Sequence, residues 1–168
     1  MWAPADDAQR LFLGNWAAMR LGVPGISRAE DFGPFEAIAV LVDGALAAVV
    51  VYHGYQPERQ SIEMSVAADT PAWLTRKVIL EVLRYPFEQL SINRAGAGVP
   101  HRNRKALRLD KGVGFREEGV LRDAFGPGNH CVVLRMLRSD YLAAVKRFTC
   151  GGKKVDPEAA RSGEGRQG

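Results

Sequence analysis

Cysteine is scarce. The 168 residues hold two, Cys131 and Cys150. Neither lies in a CxxC or Cys/His cluster, which excludes a disulfide scaffold and argues against a structural metal. The expectation is a reduced, cytoplasmic chain with no metal site. Long apolar runs are also missing. No stretch approaches the ~20 apolar residues of a membrane-spanning helix, so no membrane partner is expected. The opening residues, MWAPADDAQRLFLGNW, carry acids where a secretory leader needs bases, so no leader is expected. Internal repeats are absent, which sets aside solenoids and propellers.

What remains is an ordinary globular composition, 46% hydrophobic and 25% charged, with a formal net charge of +4. A chain of 168 residues is long enough to bury one core. The positive balance suits anionic partners: nucleic acid, an acidic protein surface or a phosphorylated cofactor. Residues 1–148 read as a single domain. Residues 149–168, rich in glycine and charge and nearly free of apolar side chains, read as a disordered tail.

Residues 5–20 place Leu11, Leu13, Trp16 and Met19 near helical spacing, with acids in the first turn. Trp16 and Met19 are assigned to the core. EAIAVLVDGALAAVVVYHGY is two β-rich runs around Asp43-Gly44, a hairpin signal. His53 and Tyr55 fall in the turn that follows, as candidates for the lip of a site. SIEMSVAAD alternates Ile62, Met64 and Val66 against Ser61, Glu63 and Ser65, which predicts a third antiparallel strand. A long helix follows from Asp69 or Thr70 as cap, with Pro71 in its first turn and Val78, Leu80, Val82, Leu83 and Phe87 as its apolar face. NRAGAGVP is a short strand. Asn103 caps a helix to about Lys111, which Gly112 or Gly114 ends. Two strands, FREEGVLRDAF and NHCVVLRML, and the helix SDYLAAVKRF complete the order.

That order, with Asn103-Arg-Lys-Ala106, Leu109, Gly114-Phe115 and Glu118-Gly119 at these spacings and Tyr85-Pro86-Phe87 closing the long helix, resembles the GCN5-related N-acetyltransferase (GNAT) family. Within it, the chain looks most like the branch of ribosomal-protein N-terminal acetyltransferases. The resemblance runs over residues 5–147. It implies an α/β (α+β) fold with a mixed central sheet of about six to seven strands between helices. The sheet should be splayed between the fourth and fifth strands of the family fold. It also implies acetyl-CoA as acetyl donor and a primary amine as acceptor: a protein N-terminus, a lysine or a small amine. A monomer or homodimer would follow.

In the family the cofactor's pyrophosphate meets a glycine-rich loop at the start of the long helix, where unpaired N–H groups and the helix dipole favour an anion. Here that loop falls on Thr70 to Thr75, with Trp73 where glycine is usual and Thr75 where glycine or alanine is usual. The resemblance assigns the phosphates to the N–H groups of Trp73, Leu74, Thr75 and Arg76. It assigns the pantetheine arm to Ser65 and Val66 on the third strand and to Asn103, with Lys105 beside it. Arg102, Arg104, Lys105, Arg108 and Lys111 cannot share one helix face. Some flank the cofactor, and Arg108 and Lys111 are solvated charges. Nucleic acid is the less favoured partner, since the basic stretch lacks interleaved aromatics and matches no standard motif.

The family's reaction needs a base for the attacking amine and, optionally, an acid for the departing thiolate. Glu63 is the only carboxylate inside the third strand, and is either the base or an exposed strand glutamate. His101, between strand and helix, is either catalytic or holds a structural hydrogen bond. The family often places Ser or Tyr after the asparagine as the acid. Ala106 and Asp110 stand there instead. Tyr141 could reach the cleft or sit in the core. Two other readings stay open: modification of an amino group on a nucleic-acid base, and a non-catalytic domain that binds CoA or a partner.

Overall fold

The structure is a computed structural model that describes residues 1–150. The sequence's disordered-tail assignment lies, from residue 151, outside the described residues. In chain order the elements are α1 (Asp7–Leu21), β1 (Phe35–Val42), β2 (Ala45–Gln56), β3 (Ser61–Ala68), α2 (Arg76–Arg84), β4 (Arg94–Pro100), α3 (Arg104–Val113), β5 (Arg116–Leu121), β6 (Cys131–Leu137) and α4 (Arg138–Cys150). The six strands form one sheet in the order β1-β2-β3-β4-β6-β5. All neighbours are antiparallel except β3 and β4.

Local chemistry explains the elements. Asp43 and Gly44 both take positive φ, 52° and 79°, as a two-residue hairpin turn demands. Asp6 caps α1 by accepting the Gln9 N–H. Trp2 exchanges two backbone hydrogen bonds with Ala39, covering part of the outer edge of β1.

Alternation along β2 divides the core. Val49 and Val51 face α1 and pack with Leu13, Ala17, Ala37 and Ala39. Val50 and Tyr52 face the other way, into a larger core with Leu83, Phe87, Leu134 and Met136 under α2, α3 and α4. The Tyr141 ring stacks on Phe87 at 4.8 Å and its hydroxyl bonds Glu88, so Tyr141 is a core residue.

Three elements differ from the sequence reading. Met19 is 76% exposed rather than buried, because α1 seats on the sheet through the smaller Ala17 and Ala18. The expected long helix is three pieces. Thr70 caps only a 3-10 turn, Pro71–Trp73, while Thr75 caps α2, and Tyr85–Gln89 widens into a π turn at Pro86. The cause of the first break is Trp73, whose ring drops into a pocket with Val40, Ala47 and Ala48. Asp69 is no cap; it pairs with Arg20 of α1 at 2.7 Å.

Candidate active site

The parallel contact between β3 and β4 is short. Ser61 faces Arg94, Ile62 faces Ala95 and Glu63 faces Gly96, and the pairing stops there. β3 stays paired to β2 as far as Ala68, and β4 to β6 as far as Pro100. The two strands therefore diverge while each keeps its other neighbour. Their facing edges present backbone N–H and C=O groups to the gap, a surface that an extended chain can join as a pseudo-strand.

Glu63 sits at the vertex of that gap. Its carboxylate lies over Gly96: a Cβ built on Gly96 would stand 2.6 Å from the Glu63 Cδ. Burial pushes the Glu63 carboxyl above its ordinary value, and the nearby Arg94 guanidinium partly opposes the shift. Arg94 itself is held by two hydrogen bonds to Glu118, at 2.9 and 2.7 Å. On the same face, the His53 Nε2 and Ser65 Oγ lie 3.0 Å apart. His53 also packs on Phe32 at 5.4 Å, and burial lowers its pKa, which favours the neutral ring. His53 thus lies inside β2, half-buried, rather than in the following turn. The Cys131 Sγ is 3.0 Å from where a Gly98 Cβ would stand; burial raises its thiol pKa, and the Glu63 charge adds to the rise.

Gly96 leads to a prediction. Gly96→Ala pushes the Glu63 carboxylate aside without touching the core. That Cβ would overlap both Glu63 carboxylate oxygens. If Glu63 takes part in a reaction, displacing it by about an ångström should lower kcat roughly 10-fold or more, with Tm nearly unchanged. Steady-state kinetics beside a melting curve checks both halves.

On the other side of the sheet, α3 starts where β4 ends. The Asn103 side chain accepts the Ala106 N–H at 3.1 Å, so its oxygen is occupied as helix cap while its amide N–H groups remain donors. Leu107 anchors the helix in the core. Asp110, two turns from Asn103, is half-buried, and desolvation raises its pKa to about 6. Lys105 is exposed. His101 accepts the His130 N–H on its Nδ1 at 3.0 Å and stacks on that ring, while the His130 Nδ1 accepts the Asp123 N–H. These contacts pin the β5–β6 loop to the end of β4, a structural task for His101.

The loop before α2 is more closed than four free amides would be. Leu74 donates to the Pro71 carbonyl and Thr75 to the Trp73 carbonyl. The Thr75 hydroxyl accepts the Val78 N–H at 3.2 Å. The first turn of α2, at Arg76 and Lys77, is exposed and follows the end of β3 in the chain.

Glu63, Ser65 and Val66 lie on β3, one edge of the gap; β4, the other edge, runs on to Asn103 at the cap of α3, with Asp110 two turns along that helix, and Thr75 and Arg76 open α2 after β3. Trp73 and His101 serve their own loops. The His53–Ser65 pair and the role of Gly96 escape a one-dimensional reading. The strand alternation places Glu63 and Ser65 on one face, but only the cross-strand register brings His53 to them. Among the described residues no cluster of His, Cys, Asp and Glu could hold a metal, and no helix is long and apolar enough to cross a membrane.

No protein-family model matches the chain, and no curated protein does. Solved structures match throughout the fold. A mutant form of the spermidine/spermine N-acetyltransferase SpeG from Vibrio cholerae is 21% identical, with a TM-score of 0.67 over 86% of this chain and 97% of that one. The same enzyme from Vibrio cholerae in another structure is 20% identical, with a TM-score of 0.64 over 84% of this chain and 94% of that one. A suspected acetyltransferase from T. thermophilus is 23% identical, with a TM-score of 0.61 over 72% and 68% of the two chains. The chain has the fold of the GNAT acetyltransferases.

Proposed function

We propose that the protein is an acetyl-CoA-dependent N-acetyltransferase that acts on a primary amine by direct attack in a ternary complex. The observation that carries this reading is the β3–β4 gap with a half-buried carboxylate at its vertex. The residues present fit acetyl-CoA. The unpaired edges of β3 and β4 suit its amide-bearing pantetheine arm, at Ser65, Val66 and the Asn103 amide. The first turn of α2, with Arg76 and Lys77, suits its phosphates. Bound there, acetyl-CoA supplies an activated acetyl thioester.

The chain's own groups divide across the sheet. Glu63 opens on the α1 face, where an incoming amine loses its proton to the carboxylate directly or through water. Backbone N–H groups on the gap edges stabilise negative charge on the carbonyl oxygen. Asp110 lies on the α3 side. With a pKa near 6 it holds its proton at mildly acidic pH and can give it to the departing sulfur. The neutral His53 and Ser65 offer a second hydrogen-bonding route on the amine side.

The acceptor is tested with a panel: an N-terminal peptide, a lysine peptide, spermidine, small amines and an adenine- or cytosine-bearing oligonucleotide. Amine-stimulated release of free CoA thiol, with the product's mass raised by one acetyl group, supports the reading. Binding of acetyl-CoA with no turnover on any acceptor favours the non-catalytic domain, for which the closed loop at Leu74 and Thr75 is the supporting observation.

Cofactor binding makes its own prediction. At a hundredfold excess over Kd, acetyl-CoA should stabilise the fold by about 2.7 kcal/mol, several degrees in Tm. Thr75→Asp keeps a good helix cap and adds a negative charge at the start of α2. It should leave the unliganded Tm in place and cut the acetyl-CoA shift by more than half. An undiminished shift places the phosphates elsewhere.

A further inference from the structure

A second cavity lies away from the gap. Its volume is ≈ 380 Å³, and its walls include Phe35, Tyr52, Tyr55 and Tyr85, with Glu36 and Arg10 at the rim. It lies at the start of β1 and the end of β2, with Tyr52, Ile62 and Tyr85 from the face away from Glu63 and with Arg10 and Phe35 from the α1 side. Ile62, which also lines it, is the strand neighbour of Glu63 and points the opposite way, into the core shared with Tyr52.

We propose that this cavity is a binding site for an organic cation with an apolar body, held by the aromatic walls and the Glu36 carboxylate. Three observations carry it. The Tyr52 and Tyr85 rings meet at 4.8 Å with 58° between their planes, forming a corner rather than a filled stack. Tyr52, 1% exposed, is the floor of that corner, and the rings left to meet a positive charge are the half-buried Tyr85 and Phe35 and the exposed Tyr55, an attraction that a carboxylate nearby reinforces. Tyr85 projects from the π turn Tyr85–Gln89, a widening of the helix that often marks a functional position. The third observation is a resident cation. The Arg10 guanidinium lies 5.9 Å from the Phe35 ring centre and 3.6 Å from the Glu36 carboxylate.

Arg10 shows that the site accepts a delocalised cation, and it has somewhere else to go. Its other nitrogen already pairs with Asp7 at 2.9 Å. A ligand cation can take the Glu36 side while Arg10 keeps Asp7. Two carboxylates against one guanidinium leave the rim net negative, so a cation is favoured over an anion. The raised pKa of Tyr85, caused by burial and then by Glu36 and Tyr55, agrees with these groups facing one space.

Benzyltrimethylammonium is the probe. It has a cationic head and an apolar ring, and with no N–H it cannot be acetylated, so its binding is separate from acceptor chemistry. Calorimetric titration of the full chain should show a single site. Glu36→Gln and Tyr55→Leu are surface changes, since both side chains are exposed, and each should weaken binding, roughly 10-fold for Glu36→Gln. Arg10→Ala should tighten it severalfold by removing the competitor. Glu63→Gln should leave it unchanged, which keeps this site independent of the proposed activity. No binding at millimolar probe, equal affinity in Glu36→Gln and wild type, or loss of binding in Glu63→Gln overturns the proposal.

Discussion

Glu63→Gln is expected to lower kcat for acetyl transfer roughly 10²-fold, the usual cost of removing one general base. The substitution keeps the shape of the side chain over Gly96 and removes only its capacity to take a proton. Acetyl-CoA binding, read as the rise in Tm, should stay as in the wild type, because the proposed phosphate site is the first turn of α2 and not Glu63. Stability should not fall. The Glu63 pKa is raised by burial, so its ionised form is a burden on the fold at pH values above that pKa, and glutamine removes the burden. The pH dependence adds a second check. Wild-type activity should decline as pH falls through the raised Glu63 pKa, and the deficit of the Gln variant should shrink at high pH, where more amine is already neutral. A variant with full activity at pH 7 would mean that water alone takes the proton and that the site works by positioning.

Much of this arrangement was legible in the sequence because local rules dictate it. Asp43-Gly44 specifies a hairpin through the positive φ that both residues must adopt. Alternation along residues 61–68 put Glu63 and Ser65 on one face before any partner strand was known. Asn103 reads as a cap because it precedes a helical apolar pattern, and it does cap α3. The parts that were not legible depend on contacts far apart in the chain. His101 is tied up by His130, 29 residues on, and no spacing rule announces that pair. Trp73 breaks the expected long helix because β1 and β2 offer it an apolar slot, so tertiary burial overrides the capping signal at Thr70. The exposure of Met19 has the same origin: its spacing is helical, but which stripe of α1 meets the sheet is decided by how closely small side chains let the helix approach. Gly96 reads as a weak point in a strand until the register sets it against Glu63, where its missing side chain makes room for the carboxylate.

Asp110→Asn is expected to make the protein more stable and less active at once. The carboxyl has its pKa raised from 3.8 to about 6 by desolvation. Below pH 3.8 the folded and unfolded chains both hold the proton, and the group costs nothing. Between 3.8 and about 6 the unfolded chain releases it first, and stability falls as pH rises. Above about 6 the fold carries the whole burden of an ionised, largely desolvated carboxylate, about 2–3 kcal/mol by linkage. Asparagine cannot ionise, though burying its amide returns part of the gain. A net rise of about 1–2 kcal/mol at pH 8 and none at pH 3.5 should appear in denaturant titrations. If the carboxyl protonates the leaving sulfur, kcat should fall about 10-fold at pH 6, less than for Glu63→Gln because a thiolate leaves readily. The wild-type rate should then be bell-shaped in pH, rising as Glu63 ionises and falling as Asp110 does, and the Asn variant should lose the alkaline limb. A carboxyl kept at a standing cost to the fold, whose removal also slows the reaction, is acting on the reaction. If kcat holds while stability rises, or if the alkaline limb persists without Asp110, the thiolate departs unaided and the acid assigned to α3 is wrong.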